Sequence, residues 1–476
     1  MKISEYASYD AVNLAELVRK RQISPPELTE VAIAAIEAVN PRLNAVIHKT
    51  FDYARKAAAS DLPDGPFRGV PYMLKELATM WAGMPTTNSC PYLKDFVAPV
   101  DLEIVSRIKR AGFVLVGKTN APEFGWSITT EPKMYGATKN PWKDGITAGG
   151  SSGGSSVAVA SRMVPLAEAS DGAGSIRVPA SNNGIVGLKP SRGTSTFAPI
   201  WADYWHGGAQ FLCVSRTVRD TAAYLDAVYG TLPGDSYAAP PRAPGYFLKQ
   251  TRTKAGRLRI GFTTTAPDGN PVHPEAVTAV RKAARLLEDL GHDVEEHDLA
   301  FDATQTWITY TRMTAVVTAA NFETLAGFIG HAVRRDEVSP VLWSMIDYGK
   351  SIGGPTHAND IEALKMASRQ IASGIAAYDA YLTPTLTQPP RPMGYYDMNM
   401  TDHLAYNAKW TDAVFMFPFN VSGQPAISLP MHWSADGVPM GVQLVARNND
   451  EATLIRVAAQ LEEAAPWIDR KPPVSN

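Results

Sequence analysis

The chain has 476 residues, 45% apolar and 19% charged, with 45 Lys and Arg against 47 Asp and Glu for a formal charge of −2. That much apolar material excludes a disordered chain and a minimal disulfide-stapled module. The even charge balance, with no dense basic block, excludes a dedicated nucleic-acid surface and leaves small neutral substrates open.

Met1 to Glu5 lead into the helix-compatible stretch Val12–Arg21 without the apolar core of a signal peptide, and no run of 18 apolar residues follows. A cytoplasmic protein without membrane contact is the expectation. Cys90 and Cys213 lie far apart with no C-x-x-C spacing, so they frame neither a disulfide scaffold nor a zinc site, and a reducing compartment fits.

Ser24-Pro25-Pro26-Glu27 has the pattern of a capped helix start, with Leu28, Val31, Ala35 and Val39 on one face and Asn40-Pro41 as the stop. Gly69–Lys75 and Phe113–Lys118 are short apolar runs ending in a charge, separated by the amphipathic stretch Glu103–Arg110; both are predicted buried strands. Ser161–Ala169 is a third, set between Gly/Ser loops at 149–154 and 170–175. Leu258–Phe262, Pro274–Leu290 and Val294–Leu299 then read as strand, helix and strand. Residues 300–350 are helix-compatible, while Tyr381–Pro384 and Ala426–Pro430 look like strand ends leading to turns. This is α/β syntax. Length alone suggests about three domains, but no repeat or long polar linker divides the chain, so a single domain over 1–476 is expected.

The densest chemical signal is Gly149-Gly150-Ser151-Ser152-Gly153-Gly154-Ser155, followed by Asp171-Gly172-Ala173-Gly174-Ser175-Ile176-Arg177. Each segment is compatible with a tight glycine turn capped by serine. A phosphate cradle fits poorly, because Gly154 is followed by two serines instead of Lys-Ser/Thr and the glycine spacing is not that of a dinucleotide fingerprint.

From Gly149 through Pro190 the chain resembles the amidase signature family, and the likeness extends from the Gly69–Lys75 strand through Thr119-Asn120, Glu123 and Asn140-Pro141 to Asn420–Pro425 and Gly437–Gln443. The resemblance implies an α/β fold with one large, mixed, twisted sheet covered by helices on both faces. It also implies a catalytic core at about 69–220 and pocket-shaping segments at about 300–430. It further implies hydrolysis of amides, esters or related bonds by a serine, serine, lysine triad. The matching positions are Ser175 as nucleophile, Ser151, after a cis bond from Gly150, as the bridging serine, and Lys75 as base. The chemistry is coherent: a serine hydroxyl needs a base in reach, a second serine passes protons both ways, and burial favours the neutral amine.

Gly172, Ala173, Gly174 and Ser175 are the expected backbone donors for an oxyanion. Here the chain departs from the commoner family form, which has Thr or Ile at 172 and Gly at 173. Asp171 and Arg177 are expected as structural supports. Trp201, Tyr204 and Trp205 are candidates for substrate contact. Asn420 and Gln424 are candidates either for orienting a substrate amide or for bracing a loop. The nine histidines are scattered without metal-binding spacing, and no Gly-x-Ser-x-Gly elbow surrounds Ser175, so neither a metal nor a cofactor is expected.

Within the family, Thr129–Pro132, Asn140-Pro141-Trp142 and Phe419–Pro425 look most like hydrolases of small synthetic amides, nylon-oligomer cyclic-dimer amidases among them. Aryl acylamides and carbamates would meet the same nucleophile, so urethane cleavage stays in the set. The rivals are an amidotransferase A subunit that releases ammonia from glutamine and a catalytically silent scaffold. Homodimerisation stays open, with no interface motif to assign it.

Overall fold

A computed structural model describes residues 1–476. Eleven strands form one sheet: β1 (Val46–Lys49), β2 (Pro71–Lys75), β3 (Val114–Thr119), β4 (Leu166–Asp171), β5 (Val186–Lys189), β6 (Gln210–Ser215), β7 (Arg259–Phe262), β8 (Asp293–Glu296), β9 (Ala380–Pro384), β10 (Ala426–Trp433) and β11 (Pro439–Ala446). Their order is β1-β3-β2-β4-β6-β5-β10-β11-β9-β7-β8. β2 runs parallel to β3 and β4, and β7 runs parallel to β8 and β9, whereas the central joins through β6, β5, β10 and β11 are antiparallel. The sheet is therefore mixed, as the resemblance implied.

Side chains alternate across the sheet, and both sets are apolar. Leu382, Val442 and Leu444 join a large core cluster with Ala279, Val280 and Leu287 of helix Pro274–Asp289. Tyr381 and Val445, one residue out of phase, join a second cluster built from helices Ala303–Ile329, Pro340–Ser351 and Gly354–Gly374. Helices thus cover both faces, and no helix is long and apolar enough to cross a membrane.

Several elements differ from the sequence reading. The helix capped by Ser24 and Glu27 does not stop at Asn40-Pro41 but runs from Pro25 to Leu43. Pro41 removes one donor, and Asn40 organises the exit: its carboxamide oxygen accepts from the amides of Ala45 and Val46 at 2.9 and 2.8 Å. The Ser161–Ala169 strand is displaced to Leu166–Asp171, and Gly153–Ala160, which begins inside the expected Gly/Ser loop at 149–154, is a helix buried along its whole length. Its glycines are dictated by packing, because a Cβ on Gly154 would lie 2.4 Å from the Asn120 amide and one on Gly153 would lie 2.3 Å from Thr130 Oγ1. The strand read as Val294–Leu299 is Asp293–Glu296, on the outer edge of the sheet.

Candidate active site

Parallel β2 and β4 lie side by side and end at Lys75 and Asp171, so their carboxyl ends open onto the same rim of the sheet, the usual place for a site in α/β folds. Ser151 is delivered to this rim by the turn preceding helix Gly153–Ala160, and the Gly150–Ser151 peptide bond is cis. Gly150 has no room for a side chain, since a Cβ there would lie 2.5 Å from the Thr129 carbonyl oxygen.

Lys75 is fully buried, and its Nζ lies 2.8 Å from Ser151 Oγ and 2.9 Å from Ser170 Oγ. Burial pulls the ammonium down to about 7, against the pull of the Glu168 and Asp171 carboxylates. Ser151 and Ser175 line one cavity, but no hydrogen bond joins their hydroxyls in this structure. Such bonds are commonly long in free enzymes and tighten when substrate binds.

The turn carrying Ser175 is tied down by Asp171. Its carboxylate accepts from the amides of Gly174 (2.7 Å) and Ile176 (3.1 Å) and from Arg177 Nε and Nη2, both at 2.9 Å. Arg177 holds the carboxyl well below its usual range although burial pushes it upward. Arg177 also donates to the Met416 carbonyl, Gln443 Oε1 and Asn420 Oδ1, so the Asp171–Arg177 pair ties this turn to all three.

This geometry corrects one expected oxyanion donor. The Gly174 N–H is occupied by Asp171, which leaves the Gly172, Ala173 and Ser175 amides without protein acceptors. The departure at 172 also gains a physical account. A Cβ on Gly172 would fall 2.4 Å from Trp205 Cζ3, so the indole occupies the space a larger residue would need. Trp205 itself sits in the left-handed region (φ 53°), as does His206 (φ 50°), and this kink lays the ring over the turn. Tyr310 donates to the Gly172 carbonyl at 2.5 Å and holds the peptide from the other side.

The cavity has a volume of about 190 Å³ and is walled by Phe124, Phe197, Trp201, Tyr204, Trp205 and Phe211, with Phe328 at its mouth. The three aromatic residues singled out in the sequence therefore reach it. Asn420 and Gln424 do not. Asn420 Nδ2 donates to the Asp171 carboxylate (2.9 Å) and the Gly208 carbonyl (2.9 Å), and Gln424 Nε2 donates to the Ala446 carbonyl (3.2 Å). Of the two roles open to them, both brace. Ser152 stands at the N-cap of helix Gly153–Ala160 without a side-chain cap bond, its Oγ exchanging longer bonds with Ser170, and Ser155 Oγ donates to the Glu168 carbonyl at 2.7 Å.

Two residues beside Lys75 went unread in the sequence. One is Ser170, its second hydroxyl partner. The other is Glu168, whose carboxylate accepts from the Lys75 backbone amide (2.9 Å) and the Thr79 hydroxyl (3.1 Å). Burial pushes the Glu168 carboxyl up, against the pull of Lys75. A charged residue inside the otherwise apolar run Leu166–Ala169 is the signal that identifies it. No histidine lines the cavity, and no group of three His, Cys, Asp or Glu side chains is arranged to hold a metal ion.

The Amidase family model matches residues 27–455. The chain belongs to the amidase family, and as an amidase it hydrolyses amide bonds. It is 40% identical to the 6-aminohexanoate-cyclic-dimer hydrolase of Paenarthrobacter ureafaciens over 480 residues, spanning 98% of this chain and 97% of the relative. The solved structure of a 6-aminohexanoate cyclic dimer hydrolase complexed with substrate superposes with a TM-score of 0.94 at 39% identity, covering 99% of this amidase and 100% of that chain. A bacterial aryl acylamidase of the amidase signature family superposes with a TM-score of 0.86 at 28% identity, covering 96% of each chain.

Proposed function

We propose that this amidase cleaves a linear or cyclic amide of a small, largely apolar organic substrate through an acyl-enzyme on Ser175. The observation that carries this reading is the 2.8 Å contact between buried Lys75 Nζ and Ser151 Oγ, at a cavity that Ser175 and the free Gly172 amide also reach. Ser175 Oγ attacks the carbonyl carbon as its proton passes to Ser151 and the Ser151 proton passes to neutral Lys75. The oxyanion is met by the Gly172, Ala173 and Ser175 amides. As the C–N bond breaks, the proton on Lys75 returns through Ser151 to the leaving nitrogen. Water then attacks the ester by the same relay, which frees a carboxylic acid and regenerates Ser175.

The cavity supports an apolar substrate over glutamine. Asp171 is the one charged residue in its lining and is already neutralised by Arg177, so no cation awaits a free amino acid's carboxylate. The similarity to cyclic-dimer hydrolases favours a cyclic or linear aliphatic amide, and the indole and phenol wall supports aryl acylamides and carbamates as a second reading. The test is turnover of 6-aminohexanoate cyclic dimer, an anilide, an aryl carbamate and glutamine by the wild type and by Ser175→Ala. Activity on the first three that vanishes in the variant supports the reading. Equal turnover by the variant, or glutamine as the preferred substrate, overturns it.

A further inference from the structure

Lys75 becomes a buried cation each time it accepts a proton, yet both side-chain partners of its Nζ are neutral hydroxyls. Two carboxylates act on it through space, Glu168 more strongly than Asp171. Asp171 is held by Arg177 on both oxygens. Glu168 has no cation in contact, only the Lys75 amide and the Thr79 hydroxyl. The other groups that bear on Glu168 are Lys118 on β3, Tyr72 on β2, Cys213 on β6 and Tyr224 from helix Val218–Val228. Lys118 is itself paired with Glu76, and the two phenols bond each other at 2.7 Å.

We propose that Glu168 is a positioning residue for the base: its buried carboxylate fixes the end of β2 through the Lys75 amide and supplies the through-space counter-charge for the ammonium formed during proton transfer. The inference rests on the relay proposed above. Glu168 neither gives nor takes a proton in the cycle; the proton runs from Ser175 through Ser151 to Lys75 and back.

The experiment is the pH profile of kcat/KM for the wild type, Glu168→Gln, Thr79→Val and Lys75→Met, with acyl-enzyme bursts measured alongside. Removing the negative charge disfavours the ammonium, so in Glu168→Gln the acidic limb should move to lower pH by about one unit. The weaker base should lower plateau kcat about tenfold with KM little changed. Gln keeps an acceptor oxygen for the Lys75 amide, so a merely structural Glu168 would leave the limb in place, and that result overturns the inference. Should Glu168→Gln fail to fold, Thr79→Val decides: loss of the hydroxyl weakens the carboxylate and must move the limb the same way by less, and an unmoved limb overturns the inference. Lys75→Met separates the two levels. If it keeps both burst and limb, the relay is wrong; if it loses both while Glu168→Gln leaves the limb unmoved, only the counter-charge fails.

Discussion

Replacing Arg177 with Met tests the brace beneath the nucleophile. Arg177 and Asp171 are both fully buried, and the guanidinium makes five hydrogen bonds that tie the Ser175 turn to Met416, Asn420 and Gln443. Breaking one side of a buried pair leaves an uncompensated charge and costs about 3–5 kcal/mol. At about 2.1 cal/mol/K per residue, the unfolding entropy of 476 residues is about 1 kcal/mol/K, so the variant should melt about 3–5 °C lower at pH 7 if the chain unfolds cooperatively. The sign with pH follows from Asp171. Its folded pKa is depressed, so its contribution is present above the unfolded carboxyl value near 4 and is lost as pH falls through the folded one. Without Arg177 the buried carboxyl is pushed up instead, and the gap between wild type and variant should narrow as pH falls from 7 towards 4. Scanning calorimetry at both pH values, with Asp171→Asn/Arg177→Met alongside, reads this out. The double variant should regain part of the loss because no unpaired charge remains. A melting point within 1 °C of wild type, or a double variant no better than the single, refutes the reasoning.

The wild-type kcat/KM should rise with pH through about 7, where buried Lys75 becomes neutral, and stopped-flow burst measurements in Lys75→Met should show acylation slowed by about 10²–10⁴-fold. Gly174→Ala places a Cβ 2.8 Å from Met416 Cβ at a φ of 121°, and calorimetry should show a loss of about 1–3 kcal/mol together with a lower kcat. Gly172→Thr should cut kcat/KM at least about tenfold by driving into the Trp205 ring, while Gly172→Thr/Trp205→Ala recovers part of it. A double variant no better than Gly172→Thr removes the steric link.

The elements with clean periodicity or caps were legible in the sequence: Glu103–Arg110 is a helix over those residues, and Pro274–Leu290 ends one residue early. Helix Gly153–Ala160 was not legible, because a helix buried on every side carries no amphipathic stripe and its glycines report contacts with Asn120 and Thr130 that only the fold creates. The Lys75–Ser151 contact was reached through the family pattern, since nothing local in either segment says that two residues 76 positions apart meet. The Gly174 donor was misassigned because motif position does not reveal that Asp171, three residues upstream, already accepts that N–H. Glu168 was overlooked although its signal was local: an ionisable residue in an apolar run is costly to bury without a purpose.

An open sheet, however well covered on its faces, ends in unpaired backbone. The last strand, Asp293-Val294-Glu295-Glu296, meets this hazard with three carboxylates and one apolar residue. Each carboxylate is clasped by an arginine: Asp293 by Arg257, Glu295 by Arg259 and Glu296 by Arg281. A second molecule approaching edge-on would have to strip water from this ionic fence before gaining a ladder. The extension of the sheet into fibrils is thereby discouraged at its terminus, far from the chemistry it supports.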